Sequence, residues 1–331
     1  MSEVHFGGPD RPPRLLRDLL HRRVEAVPPG GAIRWATYYF RDRALAGALI
    51  AASDRGVRTT LHVEGRPRRA SANRAVLAML SDHGLGGGLH VHRPGLVPRL
   101  HPHLHSKIYA FSHPEPCALV GSFNPSGDVP EDAEVIAEIG DQDLGHNLLV
   151  EYRDPAIVRW LCAAVESLGA PGQRFRAGRS VAAGDTAMWL YPRLDTGIVE
   201  RALAGLGAGA RVRGAISHMK QGPLAACLAA AARRGSDVEL LVHDTERRVP
   251  GATIAALAAA GIRISRYARA DGLPLHLKLL MVEEPGIRAA WFGSFNYNPR
   301  SRYLNRELLV RSRDPILFDT LAARYEQIAS T

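Results

Sequence analysis

Two short motifs occur twice in this chain, and their residue types suit chemistry on phosphorus. Each copy has a histidine two residues before a lysine, followed later by Gly-Ser-Phe-Asn. The first copy comprises His105, Lys107 and residues 121–124, and the second His276, Lys278 and residues 293–296. The two histidines lie 171 residues apart and Asn124 lies 172 residues before Asn296, so the motifs repeat as one unit.

The composition of the motifs indicates phosphodiester cleavage. Residues i and i+2 of a strand share a face, so each histidine is expected beside its lysine. A strand that ends in Gly-Ser-x-Asn puts a hydroxyl and an amide where α/β proteins bind ligands. One imidazole can attack phosphorus while the other protonates the leaving oxygen, and the lysines and amides can hold the non-bridging oxygens.

The elements around the motifs are also duplicated. Glycine-terminated, alanine-rich helices are predicted near 43–56 and 222–235, and again near 72–84 and 252–261. Short strands are predicted to follow at 89–92 and 262–267, and each half ends in Arg-Asp-Pro and a helix. The alternation predicts two α/β units with largely parallel sheets. We place the domains at 1–172 and 185–331, with the boundary in residues 170–184.

The first half carries an insertion at residues 125–146. It has seven acidic residues and no lysine or arginine. We interpret it as a solvated surface loop, and the alternative is an acidic lid that shapes or screens the site.

Composition excludes several classes of protein. With 331 residues, 46% hydrophobic and 23% charged, the chain is neither collagen-like nor extensively disordered. Three widely spaced cysteines argue against a disulfide framework or a zinc–thiolate site. The apolar stretches are too short for membrane spans, and the N-terminus lacks a signal-peptide pattern, so we expect a cytoplasmic protein. The net charge of +9 suits a phosphate-bearing partner, although an arginine-rich composition explains it equally well.

The paired motifs resemble the phospholipase D superfamily, whose pattern is HxKxxxxD followed by GSxN, twice in one chain. The resemblance covers both halves and implies two pseudo-twofold-related α/β/α sandwich domains with one shared site. It implies that His105 and His276 act as nucleophile and general acid/base through a phosphohistidine intermediate, without a cofactor or metal. It also implies residues that bind phosphate or support the site: Lys107, Lys278, Asn124 and Asn296 for phosphate, and Ser122 and Ser294 in support.

The chain departs from the family pattern at its carboxylates. The family aspartate falls at Ser112 in the first motif and at Glu283 in the second. A downstream family glutamate that braces an active-site histidine is matched by Glu307, and Asn147 occupies the equivalent position in the first half. Glu151 could substitute there. Family precedent makes His105 the nucleophile and a carboxylate in the second motif favours His276; we predict His105.

Other residues are candidates for substrate or metal contact. The loops after the first strand of each half contribute Tyr38, Tyr39, His218 and Lys220 as candidate substrate contacts. His101 and His103 alternate with His105 and could be metal ligands, but we expect them to line the entrance or face solvent. The basic cluster at 66–69 could meet a phosphate or form a solvated turn.

We therefore expect a phosphodiester hydrolase or phosphatidyltransferase that acts on a phospholipid or small phosphodiester. The alternatives are a metal-independent nuclease of the same superfamily and a decayed phosphate-binding protein. The duplication predicts a monomer with an internal pseudo-dimer.

Overall fold

The computed structural model describes residues 2–93, 101–127, 135–136, 139–169, 179–269 and 271–331. These residues form one mixed sheet in each half of the chain. The first sheet contains β1 (Glu3–Gly7), β2 (Ala32–Thr37), β3 (Arg58–Glu64), β4 (Leu89–His92), β5 (Ile108–Phe111), β6 (Cys117–Gly121) and β7 (Asn147–Tyr152). The second contains β8 (Ser180–Ala183), β9 (Thr186–Tyr191), β10 (Arg211–Ile216), β11 (Asp237–His243), β12 (Arg263–Tyr267), β13 (Lys278–Glu284), β14 (Ile287–Gly293) and β15 (Glu307–Ser312).

Helices accompany both sheets in the predicted alternation. They are α1 (Leu15–Glu25), α2 (Arg43–Asp54), α3 (Arg74–His83), α4 (Pro155–Glu166), α5 (Ile198–Ala204), α6 (Pro223–Arg233), α7 (Gly251–Ala258), α8 (Pro299–Tyr303) and α9 (Pro315–Ala329). No helix within the described ranges is both long and apolar enough to cross a membrane.

The two sheets have equivalent strand orders, β4-β3-β2-β5-β6-β7-β1 and β12-β11-β10-β13-β14-β15-β9-β8. The fold is therefore the predicted pair of α/β units. The expectation of largely parallel sheets was wrong. Only β2–β3–β4 and β10–β11–β12 pair in parallel, and the neighbouring pairs are antiparallel. The reason is that no helix crosses between β5 and β6 or between β13 and β14, so these strands form hairpins.

The repeated Arg-Asp-Pro segments start equivalent helices. The Asp154 carboxylate accepts hydrogen bonds from the amides of Ala156 and Ile157 at the start of α4. Asp314 accepts equivalent bonds from the first amides of α9. The following proline occupies the first helical position, where its missing N–H costs nothing. Each capping aspartate satisfies amides that the helix itself leaves unpaired.

One apolar core joins the halves. It takes side chains from both sheets and from α4 and α9, including Leu161, Val150, Phe292 and Leu321. Each half also has one outer core, which lies between its sheet and its remaining helices. The duplicated units thus share an interior, which fixes their relative position.

Backbone pairing also crosses between the halves next to each motif. The His105 amide donates to the Arg306 carbonyl at 2.9 Å, and the Arg306 amide donates to the His103 carbonyl at 2.8 Å. The His276 amide donates to the His146 carbonyl at 3.0 Å in the equivalent place. The segment that ends at His105 is therefore held by the residue before β15, and the segment that ends at His276 is held by the residue before β7.

The predicted domain boundary lies mainly outside the described residues. Residues 180–183, which the sequence analysis assigned to the boundary segment, form β8 and pair with β9 in the second sheet. The exact limits of the two domains stay a prediction.

A buried arginine on α9 fastens the second half to the first. The Arg324 guanidinium is 2% exposed and donates to both Asp10 carboxylate oxygens, to the Gly7 carbonyl and to His146 Nδ1. Arg324→Met should lower the free energy of unfolding by about 1–3 kcal/mol, because these bonds to a charged donor are lost. Urea unfolding followed by circular dichroism measures the change.

The matched control is Arg263→Met. Arg263 forms ion pairs with Asp237 and Glu239 within the second half, but its side chain is 59% exposed. Solvent screening should keep its effect below about 1 kcal/mol. Equal losses in the two variants would contradict the importance of the Arg324 contacts between halves.

Candidate active site

The two motifs meet at one cavity of about 620 Å³ between the halves. Both motif histidines and both motif asparagines line it: His105, His276, Asn124 and Asn296. The four candidate substrate contacts line it as well: Tyr38, Tyr39, His218 and Lys220. The structure therefore brings together residues that lie up to 258 positions apart in the chain, from Tyr38 to Asn296.

Each motif histidine is braced by the other half of the chain. His105 Nδ1 lies 2.8 Å from Glu307 Oε2, and His276 Nδ1 lies 2.9 Å from Asn147 Oδ1. The expectation that Glu307 would support His276 was wrong, because the cross-half pairing places β15 behind the first motif. The carboxylate thus stands behind the histidine that family precedent favours.

Glycine and serine in each Gly-Ser-Phe-Asn segment place the bracing groups. A Cβ on Gly121 would lie 2.1 Å from the Leu148 carbonyl oxygen, and one on Gly293 would lie 2.4 Å from that of Leu308. Only glycine allows this close approach of the strands. The serine after each glycine then hydrogen-bonds the group that lies behind a histidine. Ser122 Oγ donates a hydrogen bond to Asn147 Oδ1 at 2.9 Å, and Ser294 Oγ donates one to Glu307 Oε2 at 2.6 Å.

The bracing groups are themselves held in one orientation. Ser301 Oγ donates to the second oxygen of Glu307 at 2.5 Å. Asn147 Nδ2 donates to the Gln142 carbonyl at 2.9 Å, which turns the amide oxygen toward His276. Because a carboxylate or amide oxygen accepts a hydrogen bond, both histidines carry their proton on Nδ1 and present Nε2 as the free nitrogen.

The two motif lysines are buried beside the histidines. Lys107 is 0% exposed and Lys278 is 2% exposed, and their ammonium groups donate to the carbonyls of His105 and His276 at 2.6 and 2.7 Å. No carboxylate of the described residues forms a salt bridge with either lysine. A buried ammonium without a counter-ion is unfavourable, so these groups favour a bound anion.

Burial and mutual repulsion shift the acid–base groups of the cavity. Burial lowers the pKa of Lys107 to about 7 and that of Lys278 well below its usual range. Burial and the nearby Lys107 charge lower the pKa of His105 to about 4, although Glu307 partly opposes them. Burial and both lysines also depress the pKa of His276. A bound phosphate would raise all four values.

Glu307 stays ionised despite complete burial. Burial alone would raise its pKa, but His105, Lys107 and the Ser294 hydroxyl together lower it. The carboxylate can therefore stabilise positive charge on His105.

The asparagines have unequal surroundings. Asn124 Oδ1 accepts from the Tyr39 amide at 3.3 Å, and its Nδ2 donates to Gln142 Oε1 at 3.4 Å. Asn296 Oδ1 is buried without a hydrogen-bond partner. Both side chains line the cavity, where they can contact a ligand.

The described part of the insertion forms a wall of the cavity. Ile139 and Gln142 line it, and Val135 packs with Ile139 against Tyr38 and Tyr39. The interpretation as a solvated loop is wrong for these residues, since their side chains are buried. Residues 128–134 and 137–138, which hold most of the acidic residues, lie outside the described residues. The alternative of a site-shaping segment fits the part that is described.

Sequence reasoning missed several cationic wall residues. Arg247, Arg248 and Arg300 line the cavity, and so does Arg68 from the basic cluster at 66–69. The repeat itself contains a signal for them, because Arg68–Arg69 and Arg247–Arg248 lie 179 residues apart, as do Gly56 and Gly235.

Three of the positions compared with the family carboxylates lie away from the cavity. Glu283 is near the far end of β13 and forms ion pairs with Arg213 and Arg288. Ser112 lies beyond the end of β5, where its Oγ accepts a hydrogen bond from the Ala32 amide. The Glu151 carboxylate accepts hydrogen bonds from Arg23 and Arg153. The reason is distance along a strand: Glu283 follows Lys278 by five residues, or roughly 17 Å.

The sequence profile described as cardiolipin synthase, PLD-like domain, matches residues 30–152 and again residues 207–329. No curated protein sequence matches the chain significantly.

Among solved structures, phosphatidylserine synthase from Haemophilus influenzae superposes with a TM-score of 0.65 at 11% identity, over 99% of this chain and 85% of that one. Polyphosphate kinase from Porphyromonas gingivalis gives 0.62 at 13% identity, over 99% of this chain and 50% of that one. A mutant of yeast tyrosyl-DNA phosphodiesterase gives 0.52 at 9% identity, over 94% and 89%. These likenesses concern the fold.

The two profile matches together cover most of the chain, and each contains one motif and six strands of one sheet in the same order, β2–β7 in the first and β10–β15 in the second. The chain therefore belongs to the phospholipase D-like family, with two copies of the domain in tandem.

Proposed function

We propose that this protein is a phosphodiester hydrolase or phosphatidyltransferase that acts through a phosphohistidine. The observation that carries the proposal is the pair of cross-braced histidines beside two buried lysines that form no salt bridge with any carboxylate of the described residues. A phosphodiester would supply the missing negative charge and place phosphorus between the two free Nε2 atoms.

His105 is the proposed nucleophile. Its Nε2 lone pair attacks phosphorus, and the new P–N bond leaves the imidazole positively charged while Nδ1 keeps its proton. The Glu307 carboxylate, 2.8 Å from that nitrogen, stabilises this charge. A neutral amide in the same position would stabilise it less.

His276 is the proposed general acid. In its cationic form it donates the Nε2 proton to the leaving oxygen as the P–O bond breaks. Its brace is the neutral Asn147 amide, which orients the ring without holding the proton as tightly as a carboxylate would. Neutral His276 then takes a proton from water or an alcohol, which attacks phosphorus and releases His105.

The lysines and asparagines are proposed to bind the non-bridging oxygens. The Lys107 and Lys278 ammonium groups lie against the carbonyls of His105 and His276, and Asn124 and Asn296 line the cavity, where their Nδ2 groups can donate to a phosphate oxygen. This charge stabilisation takes the place of a metal in the chemical step, so the proposed reaction needs no cofactor.

The proposed substrate is a phospholipid or a small phosphodiester. The cavity is enclosed on one side by Tyr38, Tyr39 and Ile139, which suits a bounded substrate better than a continuous polymer. A nuclease is the second candidate, because arginines line the cavity and the net charge is +9. A cytoplasmic location and a monomeric state stay predictions.

A substrate panel tests the proposal. Purified protein is incubated with bis(p-nitrophenyl) phosphate, phosphatidylcholine and plasmid DNA, each with and without EDTA. We expect cleavage of the first two, with turnover that persists in EDTA. Cleavage of DNA alone would favour the nuclease, whereas phosphate binding without turnover of any substrate would favour the decayed protein.

Histidine variants identify the nucleophile. Since nucleophile and acid act together, His105→Ala and His276→Ala should each lower turnover of an unactivated diester by about 10³-fold or more. A p-nitrophenolate leaving group departs without a proton, so only His276→Ala should retain a burst on bis(p-nitrophenyl) phosphate. Acid-labile, base-stable phosphate should then be trapped on His105.

His83→Ala is the control, because His83 pairs with Asp54 on the exposed surface away from the cavity. Phosphate trapped on His276 in the His105→Ala protein would reverse the assignment. Intact turnover with no trapped phosphate in either variant would eliminate the covalent mechanism.

The pKa of Lys107 predicts an alkaline loss of activity. Its value of about 7 in the free protein means that the ammonium form is lost as pH rises through 7, so kcat/KM should fall there. Bound phosphate raises this pKa, so the fall in kcat should occur at higher pH. Rate profiles with bis(p-nitrophenyl) phosphate measure both, and Lys107→Arg should remove the part of the fall in kcat/KM that occurs near pH 7. Coincident profiles would contradict the role of Lys107.

A further inference from the structure

A second cluster of coordinating side chains lies at the edge of the cavity and takes no part in the proposed reaction. It consists of Glu64 at the end of β3 and two histidines from the segment before the first motif, His101 and His103. Glu64 is 0% exposed and His101 is 6% exposed. His103 lines the cavity, so the cluster can be reached from it.

The donor atoms converge on the carboxylate. His101 Nε2 lies 2.9 Å from Glu64 Oε1, and His103 Nδ1 lies 3.6 Å from Glu64 Oε2. Two ligand atoms held at ~2.1 Å from one ion, with an angle of ~90–110° between them, lie ~3.0–3.4 Å apart. The two distances to the Glu64 carboxylate lie just below and just above this range. Small movements would bring all three donors onto one ion.

One donor is unsatisfied as the cluster stands. His103 Nδ1 is buried without a hydrogen-bond partner among the described residues, and its distance to the carboxylate is too long for a hydrogen bond. Among the described residues, no lysine or arginine forms a salt bridge with Glu64 either. A cation between the three groups would satisfy the orphaned nitrogen and balance the buried carboxylate.

The carboxylate is also held in place from behind. The Arg66 amide donates to Oε1 at 3.0 Å, and the Leu104 amide donates to Oε2 at 2.8 Å. Backbone bonds that fix a ligand's orientation are typical of metal sites.

We propose that Glu64, His101 and His103 form a divalent transition-metal site of the zinc class. Two imidazoles and one carboxylate are a ligand set that zinc accepts, with further positions left to water or a substrate oxygen. The ion would fasten the end of β3 to the segment that carries His105 and Lys107. Its role is to position that segment, and it supplies no step of the proposed reaction.

Metal titration of tag-free, chelator-stripped protein tests the site. Co²⁺ should bind with one equivalent per chain and give visible absorption bands, and Zn²⁺ should displace it and raise the thermal midpoint. His101→Ala and His103→Ala should each weaken binding by ~100-fold or more. His83→Ala is the matched control, because its ring pairs with Asp54 at the same 2.9 Å but has no second histidine.

Several outcomes would overturn the proposal. These are absence of Co²⁺ and Zn²⁺ binding in the micromolar range, unchanged affinity in both variants, or loss of binding in His92→Ala alone. The last would move the site to the neighbouring His62–His92 pair. If the alanine variants fail to fold, X-ray absorption of the loaded wild-type protein decides, since two imidazoles with oxygen ligands are expected and three imidazoles would refute the assignment.

The metal site and the proposed function fail separately. Turnover without metal binding would eliminate the site and leave the phosphohistidine mechanism intact. Metal binding together with no turnover of any phosphodiester by the metal-loaded protein would retain the site and refute the proposed function.

Discussion

Backbone pairing between the halves is the constraint on which the candidate site depends. The segment before His105 pairs with the segment before Glu307, and the segment before His276 pairs with the segment before Asn147. Neither half can complete its own histidine, because the group behind each imidazole comes from the other sheet. The shared core around α4 and α9 holds the halves in the one arrangement that makes these contacts. The contacts that join the halves are therefore also the contacts that complete the site.

The charge balance of the cavity follows from that arrangement. Two buried ammonium groups, two imidazoles and the ionised Glu307 carboxylate lie at or beside the cavity, and arginines line it. Without a ligand, burial depresses the pKa values of the lysines and histidines, and neighbouring cations further depress those of Lys278, His105 and His276. An anion would restore their charged forms. Ligand binding and the protonation that the acid requires are thus coupled through electrostatics.

Much of the fold and of the site could be predicted from the sequence because the repeat is strong. It identified the three pairs of helices that recur in both halves, the strand ends that carry Asn124 and Asn296, and both histidines. It could not identify which half braces which histidine, since aligning the halves compares equivalent positions and carries no information on how they pair. Glu64 was missed for a related reason: its histidine partners lie about 40 residues further along the chain. The share of parallel strand pairs was overestimated because the strands were recognised but the hairpins that connect them were not.

The two halves differ in the group behind each motif histidine, and this difference fits the proposed chemistry. A phosphorylated imidazole remains cationic and benefits from the carboxylate of Glu307, whereas an acid must release its proton and suits the neutral Asn147 amide. The insertion supports this difference, because the Gln142 carbonyl holds the Asn147 side chain with its oxygen toward His276. The same segment contributes Ile139 and Gln142 to the cavity wall. The insertion in the first half therefore orients the neutral Asn147 amide and also forms part of the cavity wall. Among the described residues, this difference breaks the twofold symmetry of the duplicated domain at the site that the halves share.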